Sequence, residues 1–292
     1  MALVTTSRLT RQHALKCLER LPSFSPMMTQ LLARVTRRNC EVPELAALVE
    51  KDALLSGQVL RLANSAAFGR AQPINSVKHA IAMLGIGTMR KFALGSSFSN
   101  LFSRFRVAPS FSMTRFNLHS VAAGTLVELL SDEVPIEFPS GAFVAGLLHD
   151  VGKLIIAVSM PKQYEDVLSI AAINNSSLLA CEREILGTDH AELSGLAISK
   201  WGLAEPVRWA ATFHHEPDQA VALERSASGK LGLALVVHRA DAFINGLGMS
   251  VLPAAPSSDE LPSLALPGFE YSQERVRKRF ELELKSLGDL FS

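Results

Sequence analysis

Apolar residues recur at helical spacing along most of the chain. Between positions 27 and 36, for example, Met28, Leu31, Leu32 and Val35 would fall on one face of an α-helix. No stretch alternates apolar and polar residues with the period of two that is typical of a half-buried strand, and no segment repeats at a fixed length. The pattern therefore predicts an all-α protein.

Proline and short polar residues divide this pattern into separate helices. A first helix is expected from about Thr10 to the break at Pro22, and Pro43 suits the first turn of a later one. Asp52 and Ser76 suit the N-cap position of two more. Further helices are predicted over residues 86–101 and 112–130, around the pair at 149–150, over 182–186, from 189, and over 206–215, 231–244 and 271–290.

Two segments interrupt the helical pattern and indicate the domain organisation. Residues 105–111 form one predicted linker. A second follows Gly248, where the chain carries prolines that cannot continue a helix, namely Pro253, Pro256, Pro262 and Pro267. We therefore expect an N-terminal helical lobe over residues 1–108, a second helical lobe over 109–247, and a proline-rich linker with a C-terminal helix over 248–292.

The C-terminal helix is amphipathic. Val276, Phe280, Leu284 and Leu287 form one apolar stripe in a segment that is otherwise rich in charges. We expect this stripe to pack against the body of the protein, and binding to a partner protein is the alternative.

Composition restricts the classes of partner. With 48% hydrophobic residues and a net charge of +1, the chain can fill a core and carries no strong electrostatic signal for nucleic acid or an anionic membrane. The short basic patch of Arg34, Arg37 and Arg38 is interpreted as a solvated helix face. No apolar run reaches the roughly 18 residues of a membrane span, and the N-terminus lacks the apolar core of a signal peptide.

The cysteines indicate the compartment. Cys17, Cys40 and Cys181 are odd in number, widely spaced and not arranged as C-x-x-C. This spacing argues against a disulfide framework and favours a reducing, cytoplasmic environment.

One polar pair stands out within the most apolar part of the chain. His149 and Asp150 are flanked by Phe143–Leu148 and by Leu154–Ile156, so that the segment is interpreted as a buried helix. A buried carboxylate is costly unless it is paired or bound to a metal. The pair is therefore the first candidate for a site.

Further histidines and an aspartate follow on predicted helices or at their ends. The candidate metal ligands are His119, His149, Asp150, His190, His214, His215 and Asp241. Imidazole suits a transition metal, and a carboxylate can bridge two ions, so we expect one or two divalent ions such as Fe, Mn, Zn or Ni, with Asp150 between them. A metal of this kind activates water as a nucleophile. Lys153, one helical turn beyond Asp150, could hold a phosphate oxygen, which makes Asp150 and Lys153 the candidate catalytic residues.

Each of these residues also has an interpretation that needs no metal. A single His149–Asp150 pair can simply form a hydrogen bond, and His214 and His215 can cap the end of their helix. His238 is interpreted as a core or surface histidine. The set as a whole favours a metal site more than any member does.

Several segments together resemble a known family. The order of the candidate ligands is similar to the ligand pattern of the HD superfamily of metal-dependent phosphohydrolases. Over roughly residues 13–245 the chain resembles more closely the HDOD family, the HD-related output domains of bacterial signalling proteins. The segments that carry this resemblance are LPSFSP at 21–26, KDAL at 51–54, LRLANSA at 60–66, AIAMLG at 80–85, EREILGTDHAE at 182–192 and WGL at 201–203.

The resemblance implies a two-lobed helical fold and a role in bacterial signal transduction. It does not by itself imply catalysis, because many HDOD domains act as interaction modules. In this chain the positions that match the superfamily's metal ligands are filled, and Lys153 matches the lysine of the HD-GYP phosphodiesterases. However, His215 is followed by Glu216-Pro217-Asp218 rather than by a Gly-Tyr-Pro segment, which argues against cyclic di-GMP hydrolysis. Arg115 stands where some relatives carry an acidic ligand for a third metal.

Two functional hypotheses follow. The first is a regulatory HDOD protein that acts through contacts with a signalling protein or a small nucleotide-like ligand and carries a metal site. The second is a metal-dependent phosphohydrolase or phosphodiesterase acting on a nucleotide or cyclic dinucleotide.

Overall fold

The computed structural model describes residues 2–19, 21–35, 41–64, 73–174, 176–221, 229–251 and 262–291. Helices α1 to α6 cover Ala2–Glu19, Pro26–Val35, Val42–Val49, Ala53–Ala63, Val77–Leu84 and Ile86–Phe102. Helices α7 to α11 cover Met113–Glu133, Ala142–Leu148, Val151–Ser159, Pro161–Asn174 and Leu178–Leu186. Helices α12 to α16 cover His190–Lys200, Glu205–Phe213, Pro217–Val221, Leu233–Gly246 and Gln273–Phe291.

The all-α prediction is confirmed. Among the described residues there is no β-strand, and only Ile136 and Leu231 form an isolated bridge. The predicted helix starts follow from capping: Asp52 accepts a hydrogen bond from the Leu55 amide at 3.0 Å, and Ser76 accepts one from the His79 amide at 3.4 Å. The first helix begins at Ala2 rather than near Thr10.

Some sequence predictions fall on residues outside the described ranges. These are Arg37, Arg38 and Cys40, the Ser65-Ala66 end of one motif, and Pro253 and Pro256 of the expected linker. Within the described part, Cys17 and Cys181 are free thiols, and Arg34 pairs with Glu44 at 3.8 Å on the surface.

The helices form two compact units. One unit comprises residues 23–104 and 272–292, and the other comprises 1–22 and 105–271. This division differs from the expected succession of lobes at both ends of the chain. In the unit of residues 1–22 and 105–271, α1 packs on α9, α11 and α12. In the same unit the Trp201 indole donates to the Pro22 carbonyl at 3.0 Å. In the unit of residues 23–104 and 272–292, α16 packs on α6.

The unit of residues 23–104 and 272–292 has an aliphatic and aromatic core. Leu31, Leu45, Leu55 and Ile81 are fully buried. The C-terminal helix packs as its apolar stripe predicts, because Val276 and Phe280 are fully buried, with 0% of each side chain exposed. The buried Lys91 ammonium on α6 also donates to Glu283 on α16.

In the other unit, α7 and α8 pack at close range. A Cβ atom on Gly146 would lie 2.6 Å from the Ala123 carbonyl oxygen, and one on Gly124 would lie 2.7 Å from the Phe143 carbonyl oxygen. Such distances are below van der Waals contact, so only glycine allows the two backbones to approach this closely. The approach brings His119 on α7 near His149 at the end of α8.

One run among the described residues, Pro139–Ser159, is long and apolar enough to cross a membrane. However, 94% of this window is buried inside the protein, and the run turns at residues 149–150 to form α8 and α9. It is a core segment of its unit.

Candidate metal centre

The expected continuous helix through the His-Asp pair is wrong. α8 ends at Leu148 and α9 begins at Val151, with Asp150 at the N-cap position of α9 at φ −102° and ψ 9°. Because apolar residues flank the pair on both sides, nothing in the sequence marks this break in the helix. Lys153 nevertheless lies within reach, because its Nζ is 2.5 Å from Oδ2 of Asp150.

The structure brings all seven candidate ligands together in two adjoining groups. The two-carboxylate group consists of His119, His149, Asp150 and Asp241, and its ligand atoms all lie within 4.8 Å of one another. The three-histidine group consists of His190, His214 and His215 and meets the same limit. The residues come from α7, the α8–α9 turn, the start of α12, the end of α13, and α15.

Asp150 lies between the two groups. Its Oδ2 is 3.3 Å from Nε2 of His119 and 3.5 Å from Nε2 of His149. Its Oδ1 is 3.5 Å from Nε2 of His190 and 3.6 Å from Nε2 of His214. The two carboxylate oxygens therefore face different groups, as a bridging ligand requires.

In four of the histidines, Nδ1, on the side of the ring away from Asp150, forms a hydrogen bond with a protein oxygen. Nδ1 of His149 and of His214 each donate to a backbone carbonyl, of Gly146 and Ala211 respectively, both at 2.8 Å. Nδ1 of His119 donates to the Met249 carbonyl at 3.0 Å. Nδ1 of His190 lies 2.6 Å from the Glu182 carboxylate.

These contacts fix the tautomer. A carbonyl or carboxylate oxygen can only accept, so Nδ1 carries the hydrogen and Nε2 of each neutral ring presents a lone pair to the centre. The Nε2 atoms of His119 and His149 are 3.4 Å apart, and those of His190 and His215 are 2.8 Å apart. Several acceptors that converge at such distances call for a cation between them.

Two buried atoms of the centre lack a hydrogen-bond partner among the described residues, namely Oδ1 of Asp150 and Nε2 of His214. Buried polar atoms are nearly always satisfied by protein, water or an ion. Two ligands that each lie about 2.1 Å from one ion are about 3 to 3.5 Å apart. The 3.3 to 3.6 Å separations around Asp150 are close to this range. The residues present therefore fit a divalent transition metal.

Protons compete for the same nitrogen atoms. Burial lowers the pKa of His119, but hydrogen bonds with Asp150 and Asp241 outweigh it and raise the pKa to about 9. Burial and then the charges of His215 and His149 lower the pKa of His214 well below its ordinary value. Neighbouring carboxylates therefore favour a cation at His119, whereas His214 stays neutral and free to bind a metal.

The centre is deeply buried. His119, His149, Asp150 and His214 have no exposed surface, while Asp241 and Lys153 are 7% and 8% exposed. Burial raises the pKa of Asp150, but the charges of Lys153 and His149 outweigh it and hold that pKa well below the usual range. Asp150 is therefore a carboxylate, the form that binds a metal.

Several supporting residues were not singled out from the sequence. Glu182 contacts His190, Asn245 donates to Oδ1 of Asp241 at 2.9 Å, and Ser194 accepts from the Gly152 amide at 2.8 Å. Glu182 did carry a signal, since it opens the EREILGTDHAE segment that resembles the HDOD family. The backbone contacts carry none, because they depend on how helices pack.

Two other residues are not candidate ligands but contact backbone carbonyls near the centre. His238 is half-buried and its Nδ1 donates to the His214 carbonyl at 2.6 Å, so it supports the centre from outside. Arg115, one turn before His119, donates to the carbonyls of Ser250 and Gly248 at 3.0 and 3.1 Å. It fixes the segment whose Met249 carbonyl holds His119.

The sequence matches the family model of the HDOD domain over residues 21–217. The match ends before Asp241 and Met249, so part of the centre lies beyond it. A curated relative, an uncharacterized protein of Treponema pallidum, is 22% identical over 203 residues, which are 67% of this chain and 37% of the relative. The chain thus spans little more than a third of that relative's length.

Solved structures share the fold. An HDOD domain protein of unknown function from Geobacter sulfurreducens has a TM-score of 0.74 at 20% identity, covering 98% of this chain and 99% of that one. A Shewanella amazonensis protein provisionally named a phosphohydrolase has a TM-score of 0.66 at 19% identity, covering 96% and 98%. A Marinobacter aquaeolei protein provisionally named a signal transduction protein has a TM-score of 0.66 at 19% identity, covering 98% of this chain and 65% of that one.

Proposed function

The chain belongs to the HDOD domain family, and from this premise we propose that it is a bacterial signal-transduction protein with a metal centre in its HD-like site. It acts through contacts with a signalling protein or a small nucleotide-like ligand. The name of the Marinobacter aquaeolei structure, which refers to signal transduction, supports this proposal.

The convergence of Nε2 atoms on Asp150 carries the metal part of the proposal. Each of four rings is tied at Nδ1, and Oδ1 of Asp150 and Nε2 of His214 have no hydrogen-bond partner in the described part of the chain. A hydrogen-bonded His–Asp pair without a metal would leave neither atom unsatisfied.

The two groups would hold one or two ions. His119, His149 and Asp241 would share one ion with Asp150, and the three-histidine group would share the other with it. Imidazole and carboxylate ligands suit Fe, Mn, Zn and Ni. The three-histidine group is the softer set, so we expect it to retain a late transition metal more tightly.

Burial favours a regulatory role over turnover. Four of the seven ligands have no exposed surface, and a substrate must reach the metals to react. A metal in such a position holds α7, α9, α12, α13 and α15 together, so its occupancy can change the surface that a partner contacts.

A second candidate function is metal-dependent phosphohydrolysis. The observation that favours it is Lys153, whose buried ammonium lies beside the shared Asp150. Bound ions would supply Lewis acidity toward a phosphoryl oxygen. Lys153 would hold negative charge on the phosphoryl group, and Asp150 would keep the two metal positions adjacent.

Metal analysis of the purified protein tests the proposal. We expect one or two equivalents of a transition metal in the unaltered protein and a large loss in an Asp150→Asn variant, which keeps the side chain's size. Asp166→Asn, at an exposed position on α10 of the same unit, is the matched control and should retain the metal. Negligible metal in the unaltered protein, or equal amounts in all three, would contradict a metal centre.

Hydrolysis of a chromogenic phosphodiester distinguishes the two functions. Turnover by metal-loaded protein that disappears in Asp150→Asn and persists in Asp166→Asn favours the phosphohydrolase. Metal retention without turnover favours the regulatory protein. Activity that survives in Asp150→Asn points away from this centre.

A further inference from the structure

His190 differs from the other tethered ligands in what holds its Nδ1. The rings of His119, His149 and His214 donate to backbone carbonyls. The ring of His190 instead faces a side-chain carboxylate, with 2.6 Å between Nδ1 and Oε2 of Glu182. A carboxylate behind an imidazole makes the opposite nitrogen a better metal ligand than a neutral carbonyl does.

The backbone of His190 is fixed by the same carboxylate. The amide of His190 donates to Oε2 of Glu182 at 2.8 Å. This amide is at the first position of α12, where helical amides have no partner within the helix. Asp189 caps the helix by accepting from the Glu192 amide at 2.8 Å, so the start of α12 is well defined.

The carbonyl side of His190 is held by packing. A Cβ atom at Gly152 would lie 1.9 Å from the His190 carbonyl oxygen, so the first turn of α9 lies directly against the start of α12. Glu182 and the packing at Gly152 thus fix the backbone of His190, and with Nδ1 bound to Glu182 the ring presents Nε2 to His215 at 2.8 Å and to Oδ1 of Asp150 at 3.5 Å.

Glu182 lies on α11, is 1% exposed, and is not one of the seven candidate ligands. A buried carboxylate is costly unless its charge is compensated. Both hydrogen bonds that it accepts, from Nδ1 and from the amide of His190, are made to Oε2, whereas Oε1 has no hydrogen-bond partner among the described residues. Within the described part of the chain, the hydrogen bonds of this carboxylate are therefore with His190.

We propose that Glu182 is a positioning residue that sets the affinity of the three-histidine group for a divalent transition-metal ion. It does so by fixing the His190 ring and by increasing the basicity of its Nε2. The inference rests on the proposed metal centre and deepens it, because it makes the two groups unequal through a residue that binds neither ion.

Titration of the metal-stripped full-length protein with Co²⁺ tests this inference, since the visible absorption of Co²⁺ reports the ligands of each site. Glu182→Gln keeps the size of the side chain and removes its charge. Glu184→Gln makes the same change at an exposed position of the same helix and is the matched control. We expect Glu182→Gln to weaken one of two Co²⁺ binding steps about 10- to 100-fold and to alter its absorption, while the other step is unchanged.

A purely structural role gives a different result. Loss of both binding steps in proportion to a lower unfolding midpoint would overturn the inference, and so would unchanged binding of both ions. In a His190→Ala background, Glu182→Gln should cause no further loss of affinity, because the ring that it orients is absent. A further loss there would also contradict it. If the unaltered protein binds no Co²⁺, the proposed function itself fails.

Discussion

At the scale of single residues, Lys153 supplies positive charge to Asp150, as a metal ion bound in the proposed centre would. The ammonium lies 2.5 Å from Oδ2, an oxygen that also faces His119 and His149. Without a metal, the charge of Lys153 contributes most to keeping the pKa of the buried carboxylate low, so that it stays ionised. A bound metal ion would contribute much of the same stabilisation.

Lys153→Met should therefore affect the metal-free protein most. Removing one partner of a buried pair costs about 3 to 5 kcal/mol of unfolding free energy. We expect a loss of about that size after treatment with a chelator and a clearly smaller loss with excess Mn²⁺, each measured against the unaltered protein by urea denaturation. Lys162→Met, at an exposed position on α10, should change neither value. Equal losses with and without Mn²⁺ would show that ion and ammonium do not substitute for one another.

Residue types and order could indicate the ligands, whereas the contacts behind them could not be predicted. All seven candidate ligands lie in the two groups, and all of them except His215 are buried, as polar residues within apolar segments would predict. The Nδ1 contacts to Gly146, Ala211 and Met249 depend on backbone oxygens that every residue carries. Their positions follow only from the packed fold, so no sequence signal marks them.

At the scale of helices, two starts were predicted correctly from capping residues, whereas the break at the centre depends on close packing. Asp52 and Ser76 cap their helices through local hydrogen bonds that the sequence encodes directly. The turn at His149–Asp150 has no such signal, because it is flanked by apolar residues on both sides. This turn places the Asp150 carboxylate between the other ligands of the two-carboxylate group and the three-histidine group.

Gly146→Ala tests whether the α7–α8 approach positions the centre. The new Cβ would lie 2.6 Å from a backbone oxygen that cannot rotate away. We expect a loss of about 3 kcal/mol in unfolding free energy and weaker metal binding, since α7 carries His119 and α8 leads to His149. Denaturant titration and metal content measure the two effects.

The same substitution at Gly57 on α4 is the control, because no atom beyond the neighbouring backbone of its own helix lies within 4 Å of the new Cβ. Alanine there should stabilise the protein by about 0.5 to 1 kcal/mol through its higher helix propensity. A similar response at both glycines would mean that the α7–α8 packing has no special part in stability.

At the scale of the whole molecule, the order of the chain does not correspond to the order of the units. The terminal helices each pack with a unit that is distant in sequence. The apolar stripe of α16 predicted that the helix packs on the body, and the buried Val276 and Phe280 agree with that. The stripe could not indicate which helix it contacts, because an apolar face is complementary to many others.

Phe280→Ala separates the stability of one unit from the metal centre of the other. Phe280 is fully buried in the unit of residues 23–104 and 272–292, whereas all seven candidate ligands lie within residues 105–271. Truncating a buried Phe creates a cavity that costs about 3 to 5 kcal/mol. We expect that loss by urea denaturation, together with unchanged metal content under native conditions. Leu282→Ala, at a side chain that is 70% exposed on the same helix, should change stability little. Metal loss in folded Phe280→Ala protein would instead show that the centre depends on the packing of α16.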